Sequence, residues 1–114
     1  MSDSRSNPRS KVSWRAAILL APGNIVAAKI LDFTMAGIQL QCAHVLKEGQ
    51  TYQIMMEVPS KRDASQRTQV VCKATVRYNI LSGNEYRSGM KYFDFAPEHL
   101  LLLQSWAGAP VTME

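Results

Sequence analysis

Apolar and polar residues alternate along most of this chain with the period of two that a half-buried strand requires. Val12, Trp14, Ala16, Ile18 and Leu20 fall on one side of Ser13, Arg15 and Ala17, which predicts a first strand. Pro22-Gly23-Asn24 is a turn signal. Ile25 to Phe33 reads as a second strand, mostly apolar on both faces, with Lys29 the one clear outward residue. Ile38, Leu40 and Cys42 alternate with Gln39 and Gln41 in a third. After a turn at Glu48-Gly49, Tyr52, Ile54, Met56 and Val58 alternate with Thr51, Gln53 and Glu57. Pro59 to Thr68 is polar and predicts an exposed loop. The longest alternation follows: Val70, Cys72, Ala74, Val76, Tyr78 and Ile80 are expected inward, with Lys73, Thr75, Arg77 and Asn79 outward. Ser82-Gly83-Asn84 marks a hairpin, and Tyr86 to Phe95 returns as the sixth strand.

The period changes after Phe95. Pro97 suits the first turn of a helix, and Glu98 suits the positive end of its dipole. Leu100, Leu103 and Ala107 share one stripe, Leu102 and Trp106 a neighbouring one, and Gly108 and Pro110 stop the helix. So short a helix must pack its leucines on the sheet or on another subunit. The prediction is a mainly β fold: a small six-stranded antiparallel β-barrel, closed or nearly so, with a C-terminal α-helix plugging or flanking it.

Composition adds limits. A chain of 114 residues, 46% hydrophobic and 19% charged, fits one ordinary globular domain. No apolar run approaches the ~20 residues that cross a bilayer, so no membrane insertion is expected. The polar start, Met1-Ser2-Asp3-Ser4-Arg5, has no apolar segment behind it, and the expected location is cytoplasmic. Cys42 and Cys72 lie on the apolar sides of their strands and read as small buried hydrophobes. The net charge is only +4, but Arg5, Arg9, Lys11 and Arg15 crowd the first fifteen residues against a single acid, Asp3. Residues 1–11 therefore read as a flexible basic arm, 12–107 as the barrel and its helix, and 108–114 as a tail. Such an arm invites an anionic partner, usually a phosphate, or else is a solvated tail.

Catalysis finds no support. His44 and His99 stand apart, and neither a Gly-x-Ser-x-Gly elbow nor a phosphate-binding loop is present. The chain is read as a non-enzyme that needs no metal or cofactor. Binding is better served, by Asp32-Phe33-Thr34-Met35-Ala36-Gly37 between the second and third strands. Alone, this is a hairpin turn whose Asp and Thr side chains bond their own backbone. Gly37 either turns the chain with φ > 0 or lets a ligand lie on bare backbone. Joined to Arg5-Ser6-Asn7-Pro8-Arg9, however, the turn offers a carboxylate, a hydroxyl and open backbone beside two guanidinium groups. That set suits a guanine nucleotide. Arginine takes the O6/N7 edge of guanine or clamps phosphate, and a carboxylate accepts from N1–H and N2–H.

An Arg-x-x-x-Arg arm followed by Asp-x-Ser-x-x-Gly at a strand turn of a six-stranded barrel resembles the PilZ domain, the bacterial cyclic di-GMP receptor. Arg5 and Arg9 match the arginine pair; Asp32, Thr34 and Gly37 match the second motif, with Thr in place of the usual Ser. Gly89-Met90-Lys91-Tyr92-Phe93 is similar to the late glycine-containing strand of that family. The resemblance runs from about Arg5 to Ala107. It implies a stand-alone receptor in which Arg5 and Arg9 clamp cyclic di-GMP, Asp32 reads guanine, Thr34 hydrogen-bonds and Gly37 allows close approach. It also implies ordering of the arm on binding, and a signal to an effector protein in the control of motility, biofilm or exopolysaccharide. A monomer or weak homodimer is expected. A second reading is a PilZ-like protein-interaction module, related to type IV pili, that binds no nucleotide. A third is a barrel that binds nucleic acid through its arm, which the scarcity of outward aromatics disfavours.

Overall fold

The computed structural model describes residues 10–63 and 65–106. The alternating segments form six antiparallel strands: β1 (Ser10–Ala21), β2 (Asn24–Phe33), β3 (Ile38–Cys42), β4 (Thr51–Pro59), β5 (Arg67–Ser82) and β6 (Glu85–Phe93). They close on themselves in the order β1-β2-β3-β6-β5-β4, a barrel with no free edge. The first strand begins at Ser10, two residues before the alternation becomes visible in sequence, and β5 reaches into the predicted polar loop by starting at Arg67.

The inward positions fill the barrel with Trp14, Ile18, Ile30, Phe33, Leu40, Ile54, Met56, Val58, Val70, Cys72, Ala74 and Val76, all buried. Removing one large side chain of this set from water contributes roughly 1.5–3 kcal/mol. Both cysteines are buried free thiols, as expected. Burial pushes the Cys72 thiol up to about 12, so it stays protonated at neutral pH.

Two irregularities break the alternation. Between Ile30↔Leu40 and Asp32↔Gln39, Leu31 is an extra residue on β2. Between Val76↔Met90 and Tyr78↔Gly89, Arg77 is an extra residue on β5. A bulge of this kind reverses the inward and outward phase beyond it. On β5 the reversal overturns the expected assignment of Tyr78 and Ile80 to the core: they are 37% and 53% exposed. Asn79, expected outward, instead turns in, accepts a hydrogen bond from the buried Ser88 hydroxyl and donates to the Leu46 carbonyl.

After β6 a 3-10 turn (Pro97–His99) leads into α1 (Leu100–Trp106). Leu103 is fully buried. The Trp106 ring meets Trp14 edge-on at 5.4 Å and its indole N–H donates to the Pro59 carbonyl at 2.6 Å. Leu100, expected on the buried stripe, is 38% exposed; it stands at the junction with the 3-10 turn, where the 3.6-residue period does not yet hold. The helix flanks the same end of the barrel as the start of β1 and the β2–β3 turn. Trp14–Phe33, Phe33–Tyr92 and Tyr92–Phe95 ring contacts at 5.3–5.8 Å join them. Among the described residues no helix is long and apolar enough to cross a membrane.

Candidate ligand-binding site

The connection from β2 to β3 is held by one side chain. The Thr34 hydroxyl accepts from the Ala36 and Gly37 N–H groups at 3.0 and 2.9 Å and donates to the Gly37 carbonyl at 3.2 Å. The Thr34 N–H donates to that carbonyl too, at 2.9 Å. One donor and two acceptor sites exhaust a hydroxyl, so the turn is satisfied from within. Below it, Met35 packs inward, where the Tyr92 hydroxyl lies 3.7 Å from its sulfur.

Gly37 does not turn the chain with a left-handed residue, the first of the two expectations made of it from sequence. Its φ is not positive; the glycines with positive φ are Gly23, Gly49 and Gly83. Its missing side chain serves a neighbour, because a Cβ there would lie 2.7 Å from the Met90 carbonyl oxygen of β6. The glycine lets β3 and its turn lie close against β6.

Beside this turn is a pocket of about 430 Å³, lined by Asp32, Thr34, Gly37, Gln39, Arg77, Tyr78 and Gly89 among others. The structure thus brings together three of the five predicted site residues, Asp32, Thr34 and Gly37. Arg5 and Arg9 lie outside the described residues. Ser10 pairs with Phe33 and Lys11 with Asp32, so β1 begins next to the turn.

A single row of paired residues crosses five strands here, Lys11↔Asp32↔Gln39↔Gly89↔Tyr78, and all of them but Lys11 line the pocket. Adjacent strands stand ~4.8 Å apart, so the row runs for roughly 19 Å. Both bulges serve it. The extra residue Leu31 lets Asp32 face the pocket while Phe33 stays in the core. The extra residue Arg77 turns the next side chain, Tyr78, outward over the gap in the row at Gly89. A Cβ on Gly89 would lie 2.2 Å from Tyr78 Cε2, so the ring occupies the space of that absent side chain. The Gln39 amide nitrogen donates to the Tyr78 hydroxyl at 3.4 Å, a long contact.

Sequence reasoning missed Gln39, Arg77 and Tyr78. Gln39 carried a signal, being outward on a clean strand two residues after Gly37. Arg77 was expected outward and is exposed, but nothing in the sequence brought it to Asp32, and Tyr78 carried no signal, because its outward placement depends on the bulge. Among the described residues no group of three or more His, Cys, Asp or Glu is placed to hold a metal ion.

No protein-family model matches the sequence. No curated protein matches it either. Solved structures do. The Bacillus subtilis inhibitor of motility MotI/DgrA aligns with TM-score 0.74 and 16% identity over 91% of this chain and 50% of its own. The PilZ domain of YcgR from Escherichia coli, solved with c-di-GMP, aligns at 0.65 and 15% over 92% of this chain and 89% of its own. MrkH from K. pneumonia, solved as a c-di-GMP complex, aligns at 0.66 and 11% over 92% and 51%. The chain spans about half the length of MotI/DgrA and of MrkH. Identities this low speak to backbone architecture alone. The six-stranded barrel with its C-terminal helix is the fold of a PilZ domain.

Proposed function

We propose that this chain is a cyclic di-GMP receptor with no enzymatic activity of its own. One observation carries the reading: Asp32 and the Thr34-anchored turn line one open pocket, and β1 begins in register beside them, with Lys11 paired to Asp32. The fold it shares with two proteins solved with c-di-GMP supports the same conclusion. Asp32 accepts from the N1–H and N2–H of guanine. Arg9, one residue from the strand, and Arg5 clamp base and phosphate. Thr34 contributes by holding the turn in shape with its hydroxyl, and Gly37 by letting β3 and its turn lie close to β6.

The residues before Ser10 act as the arm and close over the pocket when the ligand arrives, and the chain from Ser10 to Ala107 acts as the barrel unit, since Ser10 and Lys11 already belong to β1. Output passes to a partner protein. The exposed leucines of α1, Leu101 at 79% above all, lie at the same end of the barrel and support that step. Regulation of motility is the process the likeness to MotI/DgrA supports.

Calorimetry with cyclic di-GMP tests the reading. Binding is expected, with Arg9→Ala and Asp32→Ala each weakening it by ~1–3 kcal/mol, the cost of leaving a desolvated polar partner unpaired. Absence of heat at tens of micromolar ligand sinks the receptor reading and leaves the nucleotide-free interaction module in its place. Full affinity in both variants moves the ligand elsewhere.

A further inference from the structure

We propose that Gln39 and Tyr78 form a second base-reading element of this pocket, one that selects guanine over adenine from the strands opposite the arm; this rests on the receptor reading above. Gln39 is the cross-strand partner of Asp32, and directly paired residues of antiparallel strands stand ~4.5–5.5 Å apart. The Watson–Crick edge of guanine presents an acceptor, O6, next to two donors, N1–H and N2–H. A carboxylate satisfies only the two donors. O6 needs a donor one step along, and the next residue of the row on that side is Gln39, whose side chain lines the same pocket.

The amide nitrogen lies 3.4 Å from the Tyr78 hydroxyl, a long contact on the solvent side, and the Tyr78 ring fills the gap over Gly89. An amide carries two N–H donors, so one remains for the ligand after the bond to Tyr78. Adenine places an amino donor where guanine has O6, which sets donor against donor. Tyr78, partly exposed and lining the pocket along with Arg77, adds a surface on which any purine can stack. In this scheme Tyr78 supplies affinity, and Gln39 supplies discrimination.

The test is calorimetric titration of the full chain and four variants with cyclic di-GMP and cyclic di-AMP. Gln39→Glu sets a carboxylate against O6 and is expected to weaken cyclic di-GMP binding on the order of 100-fold. Gln39→Ala is expected to weaken it ~10-fold and to narrow the preference for the guanine ligand. Tyr78→Ala is expected to weaken both ligands by a similar factor, ~10-fold, leaving the preference in place. Tyr78→Phe keeps the ring and is expected to change affinity no more than ~3-fold. A general structural defect would lower both ligands together in the Gln39 variants, and that result overturns the assignment of discrimination to Gln39. Wild-type binding that Gln39→Glu and Tyr78→Ala leave unchanged overturns the proposal while sparing the receptor reading. A wild-type chain that binds neither ligand overturns both.

Discussion

Two tight connections of this barrel look alike in sequence and are built in opposite ways. Ser82-Gly83-Asn84 joins β5 to β6 with Gly83 at φ +64°, and nothing lies within 4 Å of where its Cβ would be. That turn needs glycine for a backbone angle and touches nothing else. Thr34 to Gly37 joins β2 to β3 without a left-handed residue, is tied by one hydroxyl, and presses Gly37 onto the Met90 carbonyl. In the first, glycine supplies conformational freedom; in the second it supplies space. The pocket stands beside the second. A turn braced by its own side chain and by a neighbouring strand can hold Asp32 in one place, which a turn specified by a single φ angle alone does not ensure.

Alanine at the two glycines separates these designs most sharply. Gly37→Ala drives a Cβ to 2.7 Å from a backbone oxygen, which cannot rotate away as a flexible side chain would. The turn must lift from β6, and a stability loss of ~1–3 kcal/mol is expected in chemical denaturation, with loss of cyclic di-GMP binding in the same sample. Gly83→Ala meets no atom but keeps the left-handed angle, at a cost of roughly 1–2 kcal/mol. Ligand binding by that variant should stay at the wild-type level. Equal damage to binding from both would dissolve the distinction between the two turns.

Thr34→Val comes next. It keeps the shape and removes the hydroxyl, leaving the Ala36 and Gly37 N–H groups without their acceptor. Both groups are near solvent, so the expected destabilisation is about 1 kcal/mol, below that of Gly37→Ala. Binding should fall more than stability does, because Asp32 and the pocket floor depend on the turn keeping its shape. Titration and denaturation of one preparation would show whether the two losses differ in this way.

Much of this was legible in the chain. Six alternating runs, punctuated by Pro22-Gly23-Asn24, Glu48-Gly49 and Ser82-Gly83-Asn84, predict the six strands that the barrel contains. Asp32, Thr34 and Gly37 were picked out by residue type and spacing, and they do line one pocket. The bulges were not legible. One extra residue leaves the local pattern of apolar and polar positions readable as a continuous strand, and only the pairing partner reveals the slip. Val76 to Ile80 therefore read as three inward residues when the register at Tyr78↔Gly89 turns Tyr78 and Ile80 out. Gly37 misled for a related reason: the sequence shows that a side chain is missing but not which atom, Met90 O, occupies the space it leaves. The aromatic wall of the pocket, and with it the amide–phenol contact, follows from register and stayed hidden until the strands were paired.

The smallest expected effect concerns the one departure from the Asp-x-Ser-x-x-Gly pattern. Thr34→Ser removes a methyl and keeps every hydrogen bond of the turn, since the side-chain bonds use Oγ1 and the remaining one is backbone to backbone. Threonine gives up less rotamer freedom on folding because its branched Cβ already limits χ1, and this favours the native residue. The methyl itself sits on a half-buried side chain, so little apolar area is at stake. Both contributions are small, and a stability change within ~0.5 kcal/mol is expected. Ligand affinity should likewise stay within ~3-fold if the hydroxyl works by holding the turn. A large gain in affinity would place the methyl in the path of the ligand, and Thr34 would then be a contact residue whose hydroxyl leaves the turn to meet it.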